Sequence, residues 1–190
     1  MINIGLYGPC DKRAIVFGLF KLLQDFGAVL FITKERHYRR LIDDREFGYF
    51  QNVLICSSDE TPDTIFTELN MNPETFDFVI WDTTDNVPDK LDISFICSCY
   101  RDELLFDDIV GLYDNPVTVK FLFDSKREKS SYNVAISTAL FKYLELTEAY
   151  KVLKPFTFGD ISKIFETELA PMLDIRPKTV KGILRKGWQE

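Results

Sequence analysis

Apolar residues along this chain arrive in short solid runs, separated by stretches where they recur every three or four positions. Ile2 to Tyr7 is a run of strand length, closed by a turn at Gly8-Pro9. From about Arg13 to Phe26 the apolar positions Ile15, Phe17, Leu19, Phe20, Leu22 and Leu23 follow helical spacing, and Gly27 stops them. Ala28 to Thr33 reads as a second strand. The charged stretch Lys34 to Arg45 places Tyr38, Leu41 and Ile42 at helical spacing, and Val53 to Cys56 reads as a third strand. Thr61-Pro62 has the chemistry of a helix start, a hydroxyl N-cap followed by a proline in the first turn. Strands are then expected over Phe76 to Trp81, Ile93 to Cys99 and Val117 to Phe123. Helices are expected over Glu103 to Leu112, Ser131 to Leu146 and Ile161 to Leu169. Apolar strands alternating with helices predict an α/β fold of three layers, a mostly parallel sheet with helices on both faces. Residues 1–165 form the expected domain, and 166–190 a helical extension packed on it.

Composition narrows the picture. The 190 residues fit one domain, and a hydrophobic share of 46% is enough for a large core. The net charge of −7 argues against broad nucleic-acid binding, which needs cations to displace counterions. No apolar run approaches the roughly 18 residues that span a bilayer, and Met1-Ile2-Asn3-Ile4-Gly5 does not open like a signal peptide. The expected location is therefore cytoplasmic. Cys10, Cys56, Cys97 and Cys99 fit reduced core thiols better than a zinc site, since His37 is the only histidine.

In parallel sheets, ligands bind beyond the carboxyl ends of strands, where helix N-termini favour phosphate. The segment in that place is Gly5-Leu6-Tyr7-Gly8-Pro9-Cys10-Asp11-Lys12-Arg13-Ala14, a poor match to the ordinary phosphate-loop pattern. The longer run INIGLYGPCDKRAIVFGLFKLLQDFGAVLFIT nonetheless resembles the opening of ParA/MinD-like (SIMIBI class) P-loop ATPases. These begin with a strand, a KGGxGK[ST] loop, a helix and a second strand. Phe76 to Thr83 looks like the family's Walker B strand ending in Asp82, and Ile93 to Glu103 is similar to the next strand–helix step. Tyr150 to Phe156 looks like the late strand that ends near a proline. The resemblance covers roughly residues 1 to 165.

By that resemblance Gly8 and Lys12 are kept, and Lys12 matches the lysine that contacts the β and γ phosphates. Asp82 would stand near magnesium. The departures are severe. Tyr7 stands at the signature lysine, Pro9 and Asp11 at glycines, and Arg13 at the Ser or Thr whose hydroxyl holds Mg²⁺. Thr33 stands where the family places a catalytic Asp. A carboxylate about 4 Å from a phosphate charge costs roughly 4 kcal/mol at an effective dielectric of 20. At about 1.4 kcal/mol per decade, that is close to three decades of affinity. Without a positioned metal, hydrolysis also loses its main charge stabilisation. Gly8, Lys12, Arg13 and Asp82 therefore read as a vestigial cofactor site, with Lys12 and Asp82 paired across it and Asp11 as a further partner for Lys12.

Two clusters remain. Lys34-Glu35-Arg36-His37-Tyr38-Arg39-Arg40 could grip nucleic acid or an acidic partner, but Asp43, Asp44 and Glu46 follow directly and favour a solvated face. The acidic positions Asp102, Glu103, Asp107 and Asp108 fit a helix start better than a metal site. The C-terminal run is basic, with Val180, Ile183, Leu184 and Trp188 at helical spacing. It is similar in style to the amphipathic membrane tail of MinD-type proteins. Lys181, Ile183, Leu184, Arg185, Lys186 and Trp188 are the expected contacts to a partner or an anionic bilayer, set against docking on the chain's own domain. The resemblance with its lost switch implies a non-catalytic scaffold or positioning factor with no cofactor, for example in secretion, pilus or conjugation machinery. Its partner would be a protein or a second copy. The alternative is a divergent ATPase of partitioning or localisation that binds ATP with Mg²⁺. Receiver-like and flavodoxin-like alternatives fail for want of a phosphoacceptor after the third strand.

Overall fold

The computed structural model describes residues 1–8, 10–83, 89–99, 116–122, 132–135, 137–150 and 159–185. Its strands are Ile2–Tyr7 (β1), Val29–Thr33 (β2), Phe47–Phe50 (β3), Val53–Ser57 (β4), Phe78–Asp82 (β5), Ile93–Cys99 (β6), Val117–Leu122 (β7) and Tyr132–Ala135 (β8). They form one sheet in the order β3-β4-β2-β5-β1-β6-β7-β8. Every pairing is parallel except that of β3 with β4. The described α-helices are Arg13–Leu23 (α1), Pro62–Glu68 (α2), Thr138–Tyr150 (α3), Asp160–Met172 (α4) and Pro177–Arg185 (α5).

Strand side chains alternate between the two faces, and here both faces are apolar. Ile4, Leu6, Phe31, Ile80, Phe95 and Phe121 join the side chains of α1, α3, α4 and α5 in the larger core. Leu30, Ile32, Leu54, Val79 and Trp81 meet Ile65 of α2 on the other face. The helix α1 is buried almost all round, which explains its nearly unbroken apolar sequence. At Gly18 a Cβ would come within 2.9 Å of the Phe165 ring, so the missing side chain lets α4 close onto α1. The α2 start is as expected: Thr61 is the N-cap, its hydroxyl accepting from the Thr64 amide, with proline behind it.

Three elements differ from expectation. The charged stretch forms a 3₁₀ segment, Arg36–Ile42, rather than an α-helix, although Tyr38, Leu41 and Ile42 do face the core. An edge strand, β3, precedes β4, turned back through Gln51 at φ 55°. The helix expected from Ser131 begins only at Thr138, because Tyr132–Ala135 pairs with β7. An aromatic and a valine favour the pleated edge there. The boundary drawn at 165/166 falls inside α4, which runs unbroken through it. The helix expected over 103–112 and the late strand over 150–156 lie outside the described residues apart from Tyr150, which closes α3.

Candidate functional site

At the carboxyl end of the central strands, β1 turns at Gly8, which has φ 120°. A Cβ there would lie 1.8 Å from the Cys97 carbonyl oxygen of β6. The chain then enters α1, with Lys12 at the N-cap position and no side-chain cap from that residue. The Lys12 carbonyl accepts from Ile15 and Val16.

The helix mouth is filled from within. Asp11 Oδ1 accepts the Arg13 backbone N–H at 3.0 Å. The same carboxylate receives the Arg13 guanidinium, with Nε at 2.9 Å from both oxygens and Nη2 at 2.6 Å from Oδ2. Burial would push the Asp11 carboxyl up, but hydrogen bonds and charge from Arg13 outweigh it and hold the group below its ordinary value. A carboxylate thus occupies the place where free amides and the helix dipole attract an anion.

Lys12 turns the other way. Its Nζ donates to the Gly8 carbonyl at 3.2 Å and lies 3.1 Å from Asp82 Oδ1. Asp82 ends β5 beside Thr33 of β2, its register partner, and Thr33 Oγ1 donates to Asp82 Oδ2 at 2.8 Å. Thr33 Oγ1 also accepts the Glu35 amide at 3.0 Å. Burial pushes the Asp82 carboxyl up to about 6, against the pull of Lys12 and Thr33. For Lys12 burial acts downward, and attraction to Asp82 more than offsets it, so the ammonium is raised. The two shifts have opposite meanings for the pair. Asp82 is the deeper member, its side chain 2% exposed against 12% for Lys12, so it bears most of the desolvation.

These groups border a cleft of about 460 Å³, lined also by Cys10, Glu35, His37, Tyr38 and Arg40. Burial lowers the His37 pKa, and its Nδ1 lies 3.8 Å from Glu35. With His37 neutral, the cations Lys12, Arg13 and Arg40 are matched by Asp11, Glu35 and Asp82. Among the described residues, the cleft carries no net charge toward an anion.

Gly8, Lys12, Arg13 and Asp82 are therefore gathered at one end of the sheet. Lys12 meets Asp82 and not Asp11, which is taken by Arg13. In the basic cluster, Arg36 pairs with Asp59 and Arg39 with Glu46. On α5, Ile183 and Leu184 are buried with Val180 against the chain's own core, so they are not open contact residues. Lys181 and Arg185 are exposed, while Lys186, Trp188 and the acidic positions 102–108 lie outside the described residues. Two participants were not singled out by sequence: Lys21, discussed below, and Asp11 as a helix cap. Its signal was an Asp two residues before the first helical residue.

The Asp82 geometry carries a pH signature. A carboxyl raised above its ordinary 3.8 binds a proton in the folded state first, so folding weakens as pH rises from about 4 to 6. Lys12→Met removes the compensating charge and moves that window upward. Its cost should be small at pH 5 and reach about 2–3 kcal/mol at pH 8, at about 1.4 kcal/mol per unit. Urea denaturation at the two pH values measures it, and an equal cost at both would rule out an uncompensated Asp82.

The architecture has a solved counterpart. The chain shares its fold with a protein described as a plasmid partition protein from Borrelia burgdorferi B31, bound to AMPPNP. The TM-score is 0.51 at 12% identity, over 86% of this chain and 97% of that one. The fold is ParA-like. No protein-family model matches the sequence, and no curated protein matches it. At the loop, Arg13 presents a guanidinium, which has no lone pair for a metal, and the Asp11 carboxylate occupies the helix mouth. Among the described residues, no helix is long and apolar enough to cross a membrane.

Proposed function

We propose that this ParA-like protein is a pseudo-ATPase, a cytoplasmic scaffold or positioning factor that works by binding protein, as a homodimer or with a different partner. One observation carries the reading: the Asp11 carboxylate sits on the amide at the mouth of α1, locked there by Arg13. The Lys12–Asp82 pair alone would not decide the matter, since phosphate and metal could release both. Asp11 differs in also holding the Arg13 backbone amide, so a phosphate oxygen reaches that amide only by displacing a carboxylate that already has its counter-ion. The balanced charge of the cleft removes long-range attraction as well.

The second reading, a divergent ATPase of partitioning or localisation, draws on the AMPPNP held by the Borrelia protein and on the open cleft here. Titration calorimetry with ATP and Mg²⁺ separates the two. Scaffold status predicts no saturable heat up to about millimolar nucleotide, equivalent to less than about 4 kcal/mol of binding. Micromolar binding abolished by Lys12→Ala would establish the ATPase reading instead. A scaffold in secretion, pilus or conjugation machinery agrees with a chain that keeps the fold and loses the switch. Peripheral attachment to the inner face of the membrane through the C-terminus draws no support from α5, whose apolar residues Val180, Ile183 and Leu184 are buried in the core.

A further inference from the structure

The helix α5 concentrates positive charge in a chain whose net charge is −7. Between residues 176 and 185 there are Arg176, Lys178, Lys181 and Arg185, and no acidic residue. Lys178, Lys181 and Arg185 recur at i, i+3 and i+7, which places them on one stripe. All are exposed, and none pairs with a carboxylate among the described residues. The opposite stripe, Val180, Ile183 and Leu184, is buried in the core.

This helix is anchored at its far end. Lys21 of α1, only 2% exposed, donates from Nζ to the Leu184 carbonyl at 2.9 Å. Beside the basic stripe lies a groove of about 270 Å³ between α4 and α5, into which Lys181 and Arg185 both face. Its other charged groups are Lys163, paired with Asp160 at 2.8 Å, and Glu166, which accepts from Ser162 Oγ at 2.8 Å and keeps its charge. Lys163, Lys181 and Arg185 thus face Asp160 and Glu166 in the groove lining, an excess of one positive charge to receive an anion.

We infer that α5 and the adjoining groove form a docking surface for an acidic polypeptide segment, lying along Lys178, Lys181 and Arg185 with a carboxylate seated in the groove. The docked state of α5 favours this partner over a bilayer. Interfacial helices insert an apolar face, and the apolar face of α5 is already covered. A nucleic-acid duplex would demand more phosphate contacts than this short stripe offers on an acidic protein. The inference deepens the scaffold reading by naming the partner's chemistry, yet it uses different residues. Lys21 lies about 12 Å along α1 from the helix mouth, at 1.5 Å per residue. Nucleotide calorimetry and the test below therefore fail independently.

The test uses the full chain and a fluorescein-labelled glutamate octapeptide, read by anisotropy at about 0.02 M and about 0.5 M salt. Phosphatidylglycerol vesicles and a short DNA duplex are titrated in parallel. Salt-sensitive peptide binding is expected, weakened at least about tenfold in Lys181→Glu/Arg185→Glu, and by less in Lys178→Gln. Circular dichroism confirms that the variants fold, and Lys181→Gln/Arg185→Gln supplies a milder pair should the reversal unfold the helix. Absence of peptide binding, equal binding by the variants, or tighter binding to vesicles or DNA than to peptide would overturn the inference.

Discussion

Asp11→Gly combined with Arg13→Thr is expected to create magnesium-dependent ATP binding, with a gain of about two to three decades in affinity. The gain follows from the charge inventory at the mouth of α1. Asp11 now accepts the Arg13 amide and the Arg13 guanidinium together. Glycine would free that amide for a phosphate oxygen and remove a repulsion of roughly 4 kcal/mol at about 4 Å. Arg13, released from Asp11, would then add its positive charge toward the phosphates. The single variant Asp11→Gly should accordingly bind ATP weakly and without need of magnesium. Threonine at 13 restores a neutral oxygen ligand, and only the double variant should require the metal. Calorimetry with and without Mg²⁺ reads both steps. A double variant as inert as the parent would show that the block lies elsewhere in the loop.

Gly8→Ala should cost about 3–5 kcal/mol of folding stability, at the upper end of single substitutions. Two penalties coincide there. The backbone has φ 120°, which L-residues rarely adopt, and the added methyl would lie 1.8 Å from the Cys97 carbonyl oxygen. The obstructing atom is backbone in a strand paired on both sides, so no side-chain rotation relieves it. Chemical denaturation with an unchanged slope would register the loss. A cost below about 1 kcal/mol would mean that Gly8 and Cys97 are not in close approach.

Much of this architecture was legible because the sheet is buried on both faces. Solid apolar runs such as Ile2 to Tyr7 and Ala28 to Thr33 have few other uses, and their alternation with helical spacing implies parallel pairing. The roles of Lys12 and Asp82 came instead from the resemblance of the loop and of the strand that Asp82 ends, and the structure places Lys12 at the start of α1 and Asp82 at the end of β5. Elements governed by tertiary context were not legible. Tyr132–Ala135 is a strand only because β7 offers an edge, and its sequence continues plausibly into the helix after it. Phe47–Phe50 has a glycine inside it, a charged flank before it and a neutral polar one after, so its apolar signal is too short to separate from a loop. Arg13 could be read as a lost metal ligand, yet its pairing with Asp11 depends on how the chain bends into α1. Lys21 sits within an apolar periodicity, and nothing in the local pattern marks it as buried. It is buried because the carbonyl it needs comes from residue 184, and burial brings its ammonium down to about 8.

The strand order also governs how the polypeptide must acquire its structure. The first strand lies mid-sheet between β5 and β6, so one side waits for β5, where Ile2 meets Phe78, and the other for β6, where Ile4 meets Ile93. Until then an apolar segment with open backbone groups on both sides is exposed to solvent and to other chains. Distant pairings of this kind close slowly, because a long loop must be ordered before any contact rewards it. During synthesis the N-terminal strand therefore remains sticky while some ninety further residues are added, the interval in which a holding chaperone would protect it best.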